Sequence, residues 1–215
     1  MSVKNPLRYL ILLEGGIVAL LATALARHDD AEPSKSQRKL WDGFAGLCGL
    51  ELSSDGPKQI EVEKYRVDLL AAWDHWAIML EAKTKRQHVK GGQLQAYYNR
   101  LRLKLGKPGI LAEASSILVL FLTPTDVGTS EFESLSVEGN DRKRHIDWKD
   151  VLSIIDSTFS STSVKARDDS PLYPLVTMGA KRIRELLNIA DIVHEATPKP
   201  GAAQHGVAAG PASQA

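Results

Sequence analysis

The sequence has a single cysteine, Cys48, among its 215 residues. It therefore forms no internal disulfide and no zinc cage built from several cysteines. Cys48 lies in the small apolar stretch 44–50, where a free cysteine is better explained as a packed hydrophobic residue than as a nucleophile. The six histidines have no paired metal-ligand spacing, so a histidine-based zinc site has little support either.

The net charge is also small, since the 27 Lys and Arg residues are nearly balanced by 26 Asp and Glu residues, which leaves a formal charge of +1. This balance argues neither for nor against a nucleic-acid partner, and only the distribution of charge along the chain is informative. The sequence also has no G-x-x-x-x-G-K-[ST] loop of the kind that binds ATP phosphates. Any ATP-driven motor would therefore be a separate protein.

Residues 9–26 form an almost wholly apolar run that follows two basic residues. Such a run resembles a signal peptide or a short membrane span. Glu14 lies inside it, and a carboxylate at that depth costs about 2.5 kcal/mol or more on insertion scales. A buried helix over 7–27 is therefore the favoured interpretation, which predicts a cytoplasmic protein without membrane contact. The alternative is a membrane anchor with a soluble part that begins near Asp29.

Hydrophobic periodicity predicts the order of the elements along the chain. The expected elements are a helix over 7–27, a short helix capped by Ser36 that runs through Phe44, a hairpin of strands over 65–73 and 76–83, a helix over 89–105, a polar loop over 126–144 after a buried strand over 117–122, a helix over 151–155 capped by Asp147, and a final helix near 175–194. This order predicts a single domain over 1–196 of the α/β (or α+β) class, a small mixed β-sheet flanked by helices. Residues 197–215 are rich in Ala, Gly and Pro and are predicted to be a disordered tail.

Asp68, Glu81 and Lys83 are charged residues in the two strands of the predicted hairpin. Glu81 and Lys83 lie two residues apart in one strand and so share a face, and pairing across the hairpin can bring Asp68 beside Glu81. Two carboxylates held together in apolar surroundings repel each other and are costly to bury as ions. A hard divalent cation with oxygen ligands, such as Mg²⁺, removes that cost. Lys83 could then orient a water molecule or offset charge on a phosphate.

Further residues extend these three into a longer pattern over residues 60–155. The pattern consists of Asp68, Glu81-Ala82-Lys83, Gln93-Leu94-x-x-Tyr97, an apolar strand that ends Leu122-Thr123-Pro124, and Trp148 at the start of a helix. It resembles the PD-(D/E)XK nuclease superfamily, and in particular its bacterial branch in which E-x-K is followed by Q-L-x-x-Y. The residue before Asp68 is Val67 instead of proline, a departure that is common in divergent members.

The resemblance implies a restriction-endonuclease-like core and a magnesium-dependent endonuclease that hydrolyses phosphodiester bonds of DNA, with Mn²⁺ as a substitute for Mg²⁺. Asp68, Glu81 and the backbone carbonyl of Ala82 would hold the metal. Lys83 would assist the attacking water, and Gln93 would hydrogen-bond near the site or to the scissile phosphate. A 5′-phosphate product is implied by the resemblance as well.

Glu14 is the only acid in the apolar N-terminal helix. Many relatives in this superfamily carry a further glutamate on an N-terminal helix that faces the metals, and Glu14 would fill that place. This role would explain why a charge interrupts a segment that is otherwise suited to burial.

Basic residues cluster beside the proposed site. Residues 81–107 contain eight Lys and Arg and one acid, a local formal charge of +7 in a chain of net charge +1. Such clustering is typical of a footprint for the nucleic-acid backbone, although a charged helix face is often only solvated. Lys85, Arg86 and Lys90, on the loop that leaves the strand, are expected to contact DNA. Tyr97 lies one helical turn after Gln93, is expected on the same side, and is counted with the expected nucleic-acid contacts.

Two simpler alternatives stay open at this point. Lys83 could only neutralise Glu81 in a strand-edge ion pair, with Asp68 paired to Arg66. The fold could also be a catalytically silent module for DNA binding or assembly. The sequence sets neither the target, the pathway nor the oligomeric state, so a homodimer is open too.

Overall fold

A mixed β-sheet forms the centre of the computed structural model, which describes residues 14–26, 32–84, 90–124, 127–159 and 172–187. The strands in these residues are β1 (Gln59–Val62), β2 (Leu69–Trp73), β3 (Trp76–Ala82), β4 (Ser116–Thr123) and β5 (Arg142–Asp147). The helices are α1 (Glu14–Leu25), α2 (Lys35–Cys48), α3 (Gln93–Arg102), α4 (Thr129–Ser134), α5 (Trp148–Phe159) and α6 (Leu172–Leu187), and a 3₁₀ turn over Lys64–Arg66 precedes β2. The fold is therefore α/β, as predicted.

The strands follow one another in the sheet in the order β1-β2-β3-β4-β5. The first three are antiparallel neighbours, whereas β3, β4 and β5 are parallel. The predicted hairpin between β2 and β3 is confirmed, and its two-residue turn is Asp74-His75, with Asp74 at a φ of +53°. Because parallel strands end at the same edge, the chain leaves β3, β4 and β5 side by side. The carboxyl ends of parallel strands are where α/β sheets commonly place their ligands.

Helices cover both faces of the sheet. Residues of α1, α2, α5 and α6 pack with alternate sheet residues such as Leu69, Ile78 and Leu80 in one hydrophobic cluster. Residues of α3 pack on the other face with Leu70 and Met79. The central strand β4 is buried along its whole length, as its continuous apolar sequence predicts. The site residues can therefore be placed on one face or the other from the alternation along each strand.

The prediction of a polar loop over 126–144 is only partly correct. Within it the structure has the short helix α4 and the beginning of β5, and β1 was not predicted either. Both missed strands lie at the edges of the sheet, where each has one neighbour and, apart from the buried Ile146 of β5, half-buried or exposed side chains. Their polar sequences therefore lack the apolar alternation by which a strand is usually identified.

Helix ends also differ from the predicted ones. The cap of α2 is Ser34 and not Ser36, because Ser34 Oγ accepts a hydrogen bond from the Gln37 N–H at 3.1 Å. Asp147 caps α5 as predicted, since its Oδ1 accepts from the Lys149 N–H at 2.8 Å. The helix expected over 89–105 is shorter, and residues 188–215, which include the predicted tail, lie outside the described residues.

Cys48 is buried at the end of α2, as the packing interpretation predicts. Burial raises the pKa of its thiol to about 12, so the thiol stays protonated near neutral pH and is a poor nucleophile. The described part of α1 is also largely buried, with Val18, Ala24 and Leu25 in the core. Among the helices of the described residues, none is long and apolar enough to cross a membrane.

Candidate functional site

Asp68 and Glu81 are brought together by the register of the hairpin. Leu69 of β2 lies opposite Leu80 of β3, so the next position outward places Asp68 opposite Glu81. Residues directly opposite each other in an antiparallel pair point to the same face of the sheet. Glu81 follows Met79 on the face covered by α3. Both carboxylates therefore lie on the α3 side, at the end of β3 from which the parallel strands exit.

The ammonium group of Lys83 contacts both carboxylates. Its Nζ lies 2.5 Å from Glu81 Oε1, 3.0 Å from the carbonyl oxygen of Ala82 and 3.9 Å from Asp68 Oδ2. Asp68 Oδ2 also accepts a hydrogen bond from the Ala82 N–H at 2.8 Å, which fixes this carboxylate against β3. Three oxygens thus converge on one positive charge, and they belong to the three residues that the resemblance assigns to the metal.

Gln93, at the start of α3, hydrogen-bonds to the Glu81 carboxylate. Its Nε2 lies 2.9 Å from Glu81 Oε1 and 2.8 Å from the Tyr97 hydroxyl oxygen. Gln93 and Tyr97 therefore share the helix face that looks onto the site, as their spacing predicts. The second oxygen of the carboxylate, Glu81 Oε2, is buried and has no hydrogen-bond partner in the described structure.

Glu81 is only 2% exposed, and its ionisation reflects that burial. Burial raises the pKa of Glu81 to about 7, and the nearby Asp68 carboxylate adds to the increase, while Lys83 opposes it. Although one ammonium lies beside it, the Glu81 carboxyl is therefore only partly ionised near pH 7. A second positive charge at Oε2 would stabilise the charged form, because an opposite charge close by favours ionisation.

The oxygen ligands at the site suit a hard cation that takes only some of its ligands from the protein. Within the described residues, no group of three or more His, Cys, Asp or Glu side chains is arranged to hold a metal ion. Mg²⁺, however, is commonly bound by one or two carboxylates together with water and substrate phosphates. Two carboxylates, one of which has a buried oxygen without a partner in the described structure (Glu81 Oε2), and one carbonyl oxygen meet that description.

Two residues that the sequence did not assign to the site hold its parts in place. Glu131 of α4 is buried and accepts hydrogen bonds from the N–H groups of Gly92 and Leu94, on either side of Gln93. Trp148, at the start of α5, donates from Nε1 to the carbonyl oxygen of Lys83 at 3.0 Å. The family pattern contains Trp148 but not its hydrogen bond, and Glu131 lies in a polar stretch without a motif.

The backbone just before Asp68 is strained. Glu63, Tyr65 and Arg66 have φ values of +55°, +54° and +69°, in the left-handed region that side chains disfavour. Arg100 of α3 holds this turn by donating from Nη1 to the Tyr65 carbonyl oxygen at 2.9 Å. Strained residues of this kind often cluster at functional sites, where surrounding contacts maintain them.

The proposed DNA contacts are only partly described. Lys85 and Arg86 lie outside the described residues, so their role stays a prediction. Lys90 is exposed at the approach to α3, whereas Tyr97 is half-buried beside Gln93. Residues of the basic cluster further along α3 have structural partners instead, since Arg100 binds the Tyr65 carbonyl and Arg102 pairs with Asp141 at 3.1 Å.

Glu14 begins α1, but its side chain lies outside the described residues. Helix α1 contacts β1, β2, α2 and α6 and belongs to the hydrophobic cluster on the sheet face opposite to α3. The place of Glu14 in the site therefore stays a prediction. The alternative ion-pair arrangement is seen in part, because Lys83 does pair with Glu81, while Asp68 bonds to the Ala82 N–H.

Comparison with known proteins adds no family assignment, because no protein-family model matches the chain and no curated protein matches it. The resemblance to the PD-(D/E)XK nucleases therefore depends on the motif pattern, and the functional argument depends on the geometry of the site.

Proposed function

We propose that the chain is a magnesium-dependent nuclease of the PD-(D/E)XK type that hydrolyses phosphodiester bonds of DNA as an endonuclease. The observation that supports this most directly is the convergence of Glu81 Oε1, Asp68 Oδ2 and the Ala82 carbonyl on the Lys83 ammonium. A mixed sheet in which an antiparallel hairpin leads into parallel strands is also what a restriction-endonuclease-like core requires. That finer fold assignment is part of the proposal.

Asp68, Glu81 and the Ala82 carbonyl are the residues that would hold the cation. When bound, Mg²⁺ supplies Lewis-acid stabilisation of the negative charge that builds up on the phosphate. Gln93 fixes Glu81 by donating to Oε1, which leaves Oε2 without a protein partner in the described structure. Lys83 carries a positive charge next to the carboxylates and can donate hydrogen bonds to a water molecule or a phosphate oxygen.

The substrate class follows from the charge around the site. The basic residues that lead into α3, Lys85, Arg86 and the exposed Lys90, suit a phosphate backbone. In the proposed reaction water attacks phosphorus, the bond from phosphorus to the 3′-oxygen breaks, and that oxygen takes up a proton. The products would then be a 3′-hydroxyl and a 5′-phosphate.

A cleavage assay tests the proposal. Purified protein is incubated with supercoiled plasmid and linear DNA in Mg²⁺, in Mn²⁺ and in EDTA, and the products are separated on gels. We expect cleavage with either metal, none in EDTA, and a loss in Asp68→Asn of more than about 100-fold, beyond the usual effect of a residue that only supports a metal ligand. If the wild-type protein cleaves neither DNA in either metal, the proposed activity is wrong.

A catalytically silent module is the second candidate, because Lys83 already neutralises Glu81 in the described structure. This candidate predicts that DNA binding is the same in EDTA and in Mg²⁺ and that the wild-type protein leaves DNA intact. A gel-shift assay run beside the cleavage assay therefore separates the two. Binding without cleavage in any metal would favour the module.

A further inference from the structure

Glu131 is a buried acid to which the proposed mechanism gives no role. Glu131 is only 6% exposed. It lies in the first turn of α4, in a largely polar stretch whose other residues are mostly exposed. Its two carboxylate oxygens accept hydrogen bonds from two backbone N–H groups, Oε2 from Gly92 at 2.8 Å and Oε1 from Leu94 at 2.9 Å. A buried carboxylate with both oxygens engaged is held in one orientation.

The two N–H groups belong to the residues on either side of Gln93. Gly92 precedes α3 with a φ of +76°, a conformation that favours glycine, and Leu94 is buried in the core under the helix. Fixing both neighbours fixes the backbone from which the Gln93 side chain extends. That side chain then reaches Glu81 Oε1 at 2.9 Å, with Tyr97 as its second partner.

The segment that carries Glu131, residues 127–135, is hydrogen-bonded to the sheet at both ends. Before α4, Thr123 Oγ1 at the end of β4 lies 2.7 Å from the Val127 carbonyl oxygen. At the end of α4 and just after it, Lys143 of β5 donates to the carbonyl oxygens of Phe132, Glu133 and Leu135. Glu131 thus connects, through hydrogen bonds, the strands that end at the site with the start of α3.

We infer that Glu131 is a positioning residue, which sets the start of α3 so that Gln93 holds Glu81 Oε1 and leaves Oε2 for a cation. The part of this inference that concerns the cation rests on the proposed function, whereas the positioning of Gln93 does not. A purely structural role would instead make Glu131 a helix cap that stabilises α3 without affecting Glu81.

Asp141 supplies the matched control, because it is a second buried acid that anchors α3. It accepts a hydrogen bond from the Tyr98 hydroxyl at 2.7 Å and pairs with Arg102, both in the later part of the helix. It also accepts from the Ile117 N–H of β4, so its loss should weaken the attachment of the later part of α3. It makes no described contact with Gly92, Gln93 or Leu94, the residues that Glu131 fixes.

The test compares Glu131→Ala, Glu131→Gln and Asp141→Asn with the wild-type chain, and Glu81→Ala is the reference for a Gln93 side chain without its Glu81 partner. The first readout is the Gln93 side-chain amide signal in ¹H–¹⁵N spectra of the metal-free protein, assigned by its disappearance in Gln93→Ala. The second is the Kd for Mn²⁺ from calorimetry, including the double variant Glu131→Ala/Gln93→Ala. Melting temperatures confirm that each variant is folded, and Glu131→Gln keeps the size of the side chain if the alanine variant does not fold.

We expect the Gln93 signal to move in Glu131→Ala toward its position in Glu81→Ala, and to stay in place in Asp141→Asn. The Kd for Mn²⁺ should rise about tenfold in Glu131→Ala, the lower end of the effect of residues that support a metal ligand. Glu131→Gln, which keeps one acceptor oxygen, should lie in between. The double variant should bind Mn²⁺ no more weakly than Gln93→Ala alone, because Glu131 acts through Gln93.

An unchanged Gln93 signal in every folded Glu131 variant would overturn the inference, and so would effects on Kd that multiply in the double variant. A wild-type chain that neither binds Mn²⁺ nor cleaves DNA, but whose Gln93 signal moves in Glu131→Ala, would have a different meaning. In that case the proposed function fails, while the positioning of Gln93 by Glu131 stands.

Discussion

At the scale of single residues, Lys83 occupies the place that a cation would be expected to take. Its ammonium lies against Glu81 Oε1, the Ala82 carbonyl and, at a longer distance, Asp68 Oδ2. Two positive charges at these oxygens would repel each other. Under the proposed function, Lys83 would compete with a metal for part of the site and would also supply positive charge next to the phosphate.

The Lys83→Met variant tests this competition. We expect it to bind Mn²⁺ at least as tightly as the wild-type protein, because the competing ammonium is removed, and yet to lose DNA cleavage by about 100-fold or more. Calorimetry gives the Kd, and the plasmid assay gives the rate. Lys104→Met, which removes an exposed lysine of the same basic cluster, should change neither. Weaker Mn²⁺ binding by Lys83→Met would contradict the competition.

The raised pKa of Glu81 makes stability depend on pH in a defined direction. Burial, with the help of Asp68, raises this pKa from 4.5 to about 7, so the folded metal-free protein holds the proton more tightly than the unfolded chain does. The free energy of unfolding should therefore fall as the pH rises from about 4.5 to about 7, by about 3 kcal/mol from this group. Glu81→Gln should lack this component.

Urea unfolding of the wild-type and Glu81→Gln proteins in EDTA, at several pH values across this window, measures the difference. Adding Mg²⁺ at pH 7.5 should restore stability to the wild-type protein only, because the cation binds the ionised site in the folded state. Parallel pH profiles for the two proteins would show that Glu81 does not titrate in this range.

The central residues of the site were predictable because they depend on short-range rules. A two-residue turn fixes the register of the hairpin, and that register decides that Asp68 and Glu81 share a face. Gln93 and Tyr97 follow from helical spacing in the same way. Glu131 was not predictable, because its contact with the start of α3 spans almost forty positions and no local pattern marks it.

At the scale of elements, α3 combines support for the site with a basic surface. Near its end Arg100 holds the strained turn before Asp68, while Lys90, ahead of the helix, is exposed. The positive charge of this segment therefore has two roles that sequence alone cannot separate. One part stabilises the site, and the other part is available to a phosphate backbone.

Arg100→Ala and Lys90→Ala should separate these roles. Arg100→Ala should lower the free energy of unfolding by about 1 kcal/mol through the lost hydrogen bond, and should leave the salt dependence of DNA binding largely unchanged. Lys90→Ala should leave stability unchanged and reduce the slope of log K against log salt by about 1. Chemical denaturation and DNA binding at several salt concentrations measure both, and a reversed pattern would contradict this assignment.

The elements that escaped prediction are those whose sequences carry little apolar signal. Strand β5 begins Arg142-Lys143-Arg144 and still pairs with β4, since a parallel neighbour and one core residue, Ile146, suffice to hold an edge strand. Helix α4 has only six residues, too few for a periodic pattern. Long apolar segments such as β4, by contrast, were correctly predicted.

At the scale of the whole molecule, the mixed topology creates the setting of the site. The antiparallel hairpin places two carboxylates side by side, and the parallel strands β4 and β5 extend the same edge next to them. Helix α3 closes one face over Glu81, and Trp148 at the start of α5 fixes the Lys83 backbone near the edge. Glu81 is thus buried enough that its ionised form is costly without positive charge close by.

The central claim is that Glu81 is a metal ligand required for DNA hydrolysis, and its most direct test is the initial rate of supercoiled-plasmid cleavage in Mg²⁺. Glu81→Gln keeps the shape of the side chain and removes its charge, and Glu133→Gln makes the same change at an exposed position of α4. We predict cleavage by the wild-type and Glu133→Gln proteins, and a loss of more than about 100-fold in Glu81→Gln. A folded Glu81→Gln protein that cleaves at the wild-type rate would contradict the claim.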